Sequence, residues 1–489
     1  MTKEELEKTH SDYERYKEDW DFFVRSYFGG KRYREGNYLL QHPFESAANY
    51  KRRKKSAYFY NYCAPVVDIF VSHLFKDPPK RDYGSLDSDY QNPQSLFNQF
   101  WYDCDFEGSD FREFMREAAR LAAIFGRVSV VVDKPDISPS TKAEAVSLGI
   151  RPYLALVTPN NLMDWRYVRS GGKSVLSFVK ILESKGISAE GKAVSEYRIW
   201  TEFSWQLWRI TGIDVALAAS GDHNLGKVPI VNLYNKKSLT RMVGISDLED
   251  IADINKNIYF LCSDAKEIIE NTAFPMLALP YEKSGPETTE VGPKNIIQFD
   301  PDSPARPFWL EAPHTSLTEI REWVSQDIDQ INRIARTGGA TKIQESVQPR
   351  SGVALEIEFQ HLYAALREKA DNAEQAESEI FKLYALWEGT IFDGSIDYPD
   401  EFNIKDVDRD LNRFLQAEPF IKTPLFKIEV EKKTVDFLLP RLDENKRNEI
   451  FAEIENAKME EGENDRDGVD AGSPASVMAG GEADDGAPV

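Results

Sequence analysis

The residues best suited to chemistry are present in this chain but are not spaced for it. The six histidines, His10, His42, His73, His223, His314 and His361, never fall at HExxH or a related spacing, which sets two imidazoles on one helix face for a metal. Cys63, Cys104 and Cys262 are odd in number and far apart, so they read as reduced thiols of a cytosolic protein rather than as zinc ligands or disulfides. No GxSxG elbow occurs, and no cysteine sits in a catalytic signature. Carboxylates are abundant, but acidic pairs on solvated helices are the default in a chain of this charge. The expectation is no enzyme, no metal and no cofactor.

Two stretches have the composition of a phosphate site. Gly171-Gly172-Lys173-Ser174 matches the end of a phosphate-binding loop, yet Tyr167 stands where that motif needs its first glycine. The stretch also lies between two strand patterns, whereas the motif joins a strand to a helix, so it reads as a hairpin turn. Lys51-Arg52-Arg53-Lys54-Lys55 is the densest basic run. It is either a phosphate-contacting patch or a solvated helix face ahead of Tyr58, Tyr60 and Tyr62, and the solvated face is the simpler reading. The whole chain of 489 residues carries a formal charge of −22, which repels nucleic acid in general while leaving room for a basic local site. Its length suggests two to four domains. The polar N-terminus lacks an apolar signal core, and runs such as Val128–Val132 are too short to span a bilayer, so a soluble intracellular protein is expected.

The elements around these residues follow from periodicity and punctuation. Residues 1–76 are mostly helical, and the stretch from Ala64 to Phe75 buries Val67, Phe70, Val71, Leu74 and Phe75 before Asp77-Pro78-Pro79 ends it. An amphipathic helical region at 95–125 gives way at Gly126 to a β-rich pattern reaching about residue 235. Together these form an α+β domain. Residues 245–272 return to helix, with Ser246 as N-cap and Glu249 as its capping-box partner. A proline-rich insertion at 275–316 carries two strand signals, Met276–Leu279 and Ile296–Phe299. Further helices are expected at about 407–416 and 443–457. Beyond Met459 the chain is acidic and poor in apolar residues, which reads as disorder.

The longest periodic element is Val353–Trp387. Leu355, Phe359, Leu362, Leu366, Ala370, Ala373, Ala376, Ile380, Leu383, Tyr384 and Trp387 form one stripe, with Glu368, Asp371, Glu374 and Glu377 expected elsewhere on the surface. Phe359, Leu366, Ile380 and Trp387 are more apolar surface than one domain needs, so part of the stripe is expected to pack between subunits.

Six stretches in this order resemble the portal proteins of tailed bacteriophages: 61–79 (NYCAPVVDIFVSHLFKDPP), 126–133 (GRVSVVVD), 157–165 (VTPNNLMDW), 227–234 (KVPIVNLY), 244–251 (GISDLEDI) and 351–359 (SGVALEIEF). The resemblance implies an α+β, mainly helical fold of portal type. Its parts would be a β-rich wing at 1–243 completed by a long helix and strand at 353–402, and two stem helices at 244–274 and 317–337. A small α/β clip would occupy 275–316, a tunnel loop 338–352 and a helical crown 403–458, followed by the acidic tail 459–489. It implies a homo-oligomeric ring, usually a dodecamer, at one capsid vertex of the virion, assembled in the host cytoplasm. Double-stranded DNA would pass through its channel, with the terminase large subunit, a head-completion or adaptor protein and the major capsid or scaffold protein as partners, and no membrane. In that arrangement Lys342, Gln344, Gln348 and Arg350 of the tunnel loop face the DNA, and Phe308, Trp309 and Leu310 offer a clip docking surface. The bland readings are that Lys342 is a solvated lysine, that Arg333 and Arg336 complement a helix dipole, and that 308–310 is the clip's own core. The alternative class is another phage head structural or scaffold protein without a channel.

Overall fold

The computed structural model describes residues 1–137, 140–188, 191–272, 276–280, 297–299, 306, 308–310, 315–336, 352–399, 402, 424–439, 446–447 and 449–456. The chain divides into two units, Met1–Phe402 and Asn403–Val489. The first opens with α1 (Lys3–Glu7), α2 (Ser11–Phe28), α3 (Gly30–Glu35), α4 (Ala47–Ser56), α5 (Cys63–Leu74), β1 (Lys80–Asp82), α6 (Asp87–Gln91), α7 (Leu96–Tyr102) and α8 (Phe111–Phe125). There follow β2 (Arg127–Asp133), α9 (Lys142–Leu148), β3 (Tyr153–Val157), β4 (Leu162–Ser170), β5 (Lys173–Ile187), β6 (Ala193–Thr201), β7 (Ser204–Thr211), β8 (Asp214–Asp222) and β9 (Ile230–Tyr234). Next come α10 (Ile251–Thr272), β10 (Met276–Pro280), β11 (Ile297–Phe299), β12 (Phe308–Leu310), α11 (Thr315–Ile334), α12 (Gly352–Trp387) and β13 (Ser395–Asp397). The second unit contains α13 (Pro424–Leu438), whose Lys432 meets Glu455 and stands 5.6 Å from the Phe451 ring.

The centre of the first unit is β2, every residue of which is buried. It runs antiparallel between β3 and β9, and this three-stranded sheet shares one apolar core with α5, α8 and α12. The apolar face of α8 explains its place there: Phe111, Phe114, Met115, Ala118 and Ala122 recur every three or four residues and are buried. Asp110 starts α8 by accepting the Glu113 N–H at 2.7 Å, and Gly126 ends it in the left-handed region at φ 83°. The single helical region expected at 95–125 is two helices. Asp103 and Asp105 accept backbone N–H groups of Gly108, Glu107 and Ser109, and these side-chain turns outcompete the helix between α7 and α8.

Strands β4 to β8 form an antiparallel meander. Gly171 and Gly172, at φ 56° and 79°, make the β4–β5 hairpin turn, so the GGKS stretch is a turn as expected. Strand β8 had no sequence signal. As the outer strand it is exposed at most positions, so its residues need no apolar alternation. The short helix α1 docks on this sheet: Leu6 is buried with Tyr197, Ile199 and Ile210, and the Lys180 ammonium donates to the Glu5 and Lys8 carbonyls at the end of α1.

The insertion at 275–316 contains the two strands expected and a third, β12. Strand β10 pairs parallel with β11 and antiparallel with β12. Helix α12 has 36 residues, about 54 Å at ~1.5 Å per residue, as its periodicity predicts. The expected helix at 407–416 and the acidic tail lie outside the described residues. Helix α13 was not anticipated.

Candidate functional site

The most elaborate polar construction in the first unit lies where β9, the start of α10, the end of α11 and the middle of α12 converge. It begins with two glycines. A Cβ on Gly244 would stand 1.9 Å from the Gly126 carbonyl oxygen, and one on Gly126 would stand 2.3 Å from that of Gly244. Only two residues without side chains allow this backbone-on-backbone approach. It places residues 245–247 against the C-terminus of α8, where carbonyls need donors. The Ser246 hydroxyl donates to the Ile124 carbonyl at 2.5 Å and accepts from the Leu248 N–H at 3.0 Å, while the Asp247 N–H donates to the Ala123 carbonyl at 3.0 Å. Ser246 is therefore not the N-cap of α10, which starts five residues later. Its hydroxyl is engaged by α8, and the expected capping box with Glu249 does not form.

Lys369 of α12 reaches this turn. Its ammonium donates to both carboxylate oxygens of Asp247, at 2.7 and 2.8 Å, and to Asn235, and it lies 4.7 Å from the Phe70 ring centroid. Asn235 in turn donates to the Ile245 carbonyl and to Asp247, at 3.0 and 2.9 Å, and its own carbonyl accepts from Asn372 at 3.3 Å. One cation thus fixes the entry of α10 to the long helix. Beside it lies a polar cavity of about 200 Å³, whose wall includes Glu249, Asp250, Ala335, Arg336, Glu368 and Lys369. Burial, with the charges of Asp250 and Asp19, holds the Glu249 carboxyl above its usual range. Arg336, at φ 57°, closes α11 here, so this cavity sits at the root of the segment expected to be the tunnel loop.

Two turns further along α12 is a second ionic clamp. Glu377, expected on the surface, has no exposed area. Arg81 of β1 meets its two oxygens at 2.5 and 3.1 Å, and the Tyr398 hydroxyl donates to it at 2.7 Å. Burial works against the Arg81 charge, but the Glu377 carboxylate outweighs it and holds the guanidinium above its ordinary value. Burial and then the same carboxylate push the Tyr398 phenol well up, so it remains a donor. The β1–β13 pair, with Arg81 opposite Ile396, carries these groups to the helix.

The residues singled out from sequence fare differently. Leu366 and Ile380 are completely buried in the chain's own core, and the Trp387 indole N–H donates to the Val132 carbonyl at 2.8 Å. The expectation that they pack between subunits is corrected for Leu366 and Ile380, because the protomer leaves them no surface. The Phe359 side chain, those of Phe308, Trp309 and Leu310, and all of Lys342, Gln344, Gln348 and Arg350 lie outside what the structure describes. The basic run is largely engaged: Arg53 is buried on Glu45 at 2.9 Å, and Arg52 pairs with Glu267 and Glu270 of α10 at 2.8 and 3.2 Å. It docks α4 on α10. Cys63, Cys104 and Cys262 are free thiols, and burial pushes Cys63 up to about 12. Among the described residues no helix is long and apolar enough to cross a membrane, and no cluster of metal-ligating side chains occurs.

Sequence reasoning missed Asp247, Asn235, Lys369, Arg81 and Glu377. A signal existed for two of them. Lys369 is three residues after Leu366 and four before Ala373, and Glu377 is four after Ala373 and three before Ile380, so both interrupt the apolar stripe itself. A charge on a buried stripe requires a partner.

The family model described as "Phage portal protein, SPP1 Gp6-like" matches residues 13–415, and the chain belongs to that family. Solved structures with a similar chain trace include the neck of a native gene transfer agent particle computed with C12 symmetry, at 10% identity and TM-score 0.42, covering 84% of this chain and 92% of that one. The neck of an empty particle computed with C6 symmetry has the same identity and TM-score, covering 80% and 96%. The virion of a native gene transfer agent particle gives 11% identity and a TM-score of 0.39, covering 75% and 88%. Sequence comparison with curated proteins finds no significant match.

Proposed function

We propose that this chain assembles into a closed ring, of twelve subunits in the usual arrangement, at one vertex of a phage-like capsid and forms the channel through which double-stranded DNA enters and leaves. The observation that carries the reading is the family match over residues 13–415. In this reading 1–243 and 353–402 are the wing, α10 and α11 the stem, 275–316 the clip, 338–352 the tunnel loop and 403–458 the crown. Terminase and a head-completion protein dock on the clip around Phe308, Trp309 and Leu310, and the capsid or scaffold protein meets the outside of the ring. Lys342 and Arg350, with Gln344 and Gln348, touch passing phosphates without sequence preference. The net charge of −22 suits a conduit, because every fixed cation that neutralises a phosphate adds affinity and therefore drag. Phe359 keeps its place as a subunit contact.

Electron microscopy of the purified protein tests this most directly. Closed rings with a central hole are expected. A monodisperse monomer over a wide concentration range would refute it. Within assembled particles, changing Lys342 and Arg350 together to alanine is expected to leave rings intact and alter DNA packaging or retention, and Trp309→Ala to impair packaging or tail attachment.

A further inference from the structure

Two strand edges of the first unit, those of β9 and β8, lie unpaired among the described residues. At β9 the Val132 N–H donates to the Pro229 carbonyl and the Asn235 N–H to the Gly126 carbonyl, each at 2.9 Å. Residues 229, 231, 233 and 235 therefore turn their backbone towards β2, and Ile230, Asn232 and Tyr234 turn theirs away from it. The Ile230 N–H folds back on the Val228 carbonyl at 2.8 Å. The Ile230 carbonyl and both main-chain groups of Asn232 and Tyr234 meet no described residue. This edge lines a cavity of about 510 Å³, whose other walls include Tyr167 of β4, Leu176 of β5, and Ala376 and Leu383 of α12. Lys227 and Lys237, which precede and follow β9, line it too, and its one carboxylate, Glu379, is paired with Lys382 at 2.9 Å. A groove with free N–H and C=O groups along one wall and apolar side chains on the others receives an extended strand.

Strand β8 is such a strand. It is last in the order β4-β5-β6-β7-β8 and buries none of its residues. The His223 N–H donates to the Phe203 carbonyl at 2.7 Å, so Gly221 and Ala219 bond towards β7, while Ser220 and Asp222 turn their backbone outward. No described residue meets that outer side. Exposed edges are ordinarily guarded by charge or proline, yet between Asp214 and Asp222 the strand reads Val-Ala-Leu-Ala-Ala-Ser-Gly, with a bulge at Ala218 as its one guard. Leu217 stands 47% exposed. The charges of the two edges are complementary. Strand β8 carries a carboxylate at each end and is neutral between them, whereas β9 has an ammonium beyond each end and apolar walls between. With like charges at both ends, the match holds for either strand direction.

We infer that β8 of one subunit adds to the β9 edge of its neighbour, joining the five-stranded meander of one copy to the three-stranded sheet of the next. The two surfaces differ, so the contact is head-to-tail, the kind that closes into a ring. The inference rests on the proposed ring and names a contact that closes it.

Charge exchange in the full-length protein tests it, with ring yield read by size-exclusion chromatography and electron microscopy. Lys227→Glu with Lys237→Glu, and separately Asp214→Lys with Asp222→Lys, should each lower ring yield at least about fivefold. All four changes in one chain should restore it to within about twofold. An equimolar mixture of the two doubly changed proteins should also form even-numbered rings, because each then meets an opposite charge on its neighbour. Unchanged yield in both double variants, or no recovery when all four are combined, would overturn the pairing. Recovery in the fourfold variant but not in the mixture would place the contact within one chain, and would overturn it too. Ser220→Pro removes an outward N–H and no bond to β7, and it should lower ring yield as well. Full yield from that variant would show that no strand is added. If the unaltered protein forms no ring, the ring reading falls and the pairing with it, whereas rings that persist through these changes overturn the pairing alone.

Discussion

The long helix α12 and the helix pair α10–α11 are built on opposite principles. On α12, Leu362, Leu366, Ala370, Ile380, Phe381 and Tyr384 are all buried within the protomer, and even Lys369 and Glu377 find internal partners. Among the described side chains of α11, Ile331 alone is buried, and Trp323 stands 59% exposed. Helix α10 is buried near its start, at Ile251, Ile258 and Tyr259, but Ile269 towards its end is exposed. The lesson is that length and apolar periodicity do not by themselves mark surface to spare: among the described side chains, the stripe on α12 from Leu362 to Tyr384 serves the protomer, while Trp323 and Ile269 leave apolar surface exposed on the shorter helices.

The contrast breaks most severely at Glu377. Replacing it with alanine leaves Arg81 buried without a counter-charge, and urea unfolding is expected to show a loss of about 3–5 kcal/mol. The companion change Arg81→Met in the same chain should recover much of it, since an apolar pair satisfies the site without a lone charge. A loss below about 1 kcal/mol for Glu377→Ala would show that α12 is less encased than described. Gly244→Ala comes next. The added methyl meets the Gly126 backbone, which cannot rotate away, and about 1–3 kcal/mol is expected from thermal unfolding, with α10 rather than α12 losing hydrogen-exchange protection first.

Acid sharpens the comparison more gently. Burial lowers His223, which lies 5.9 Å from the Trp387 ring at the end of α12, and burial with Lys76 lowers His73. The unfolded chain therefore takes up these protons first, near pH 6.5, and the folded chain only at lower pH. Stability is complete above pH 6.5 and declines as pH falls through the interval below it. Melting temperatures measured from pH 7.5 to 5 should fall, and His223→Phe should make the fall shallower. An identical profile would remove His223 from the account. The smallest effect is expected at Trp323→Ala. Protomer stability should stay within about 0.5 kcal/mol, because the side chain is exposed, while ring yield by size-exclusion chromatography drops. Unchanged ring yield would return the subunit contact to other surfaces.

Much of this architecture was legible because it rests on local signals. The Gly171-Gly172 turn, the proline stop after α5, and the three- and four-residue steps of α12 each need only a few neighbouring residues. What was not legible depends on chain that is distant in sequence. Nothing near Glu377 announces Arg81, almost three hundred residues earlier, although a carboxylate on an apolar stripe was itself a warning. Ser246 has the spacing of an N-cap, and only the approach of α8 diverts its hydroxyl. Strand β8 lacked a pattern because it is exposed at most positions and buries no residue, so nothing requires an apolar face. The candidate site was the least legible part, since it is assembled from β9, α10, α11 and α12, and each contributes residues that look ordinary alone.

The meeting of Gly126 and Gly244 also has a mechanical consequence. Most joints between elements are padded by side chains, which absorb small displacements by changing rotamer. Here main chain rests on main chain, so the joint has no such padding. A load applied along α10 is delivered at the first residue of β2, and through its hydrogen bonds to β3 and β9, without first being dissipated in repacking. The pair therefore behaves as a fulcrum, and tilting of the helix pair registers as strain in the buried sheet.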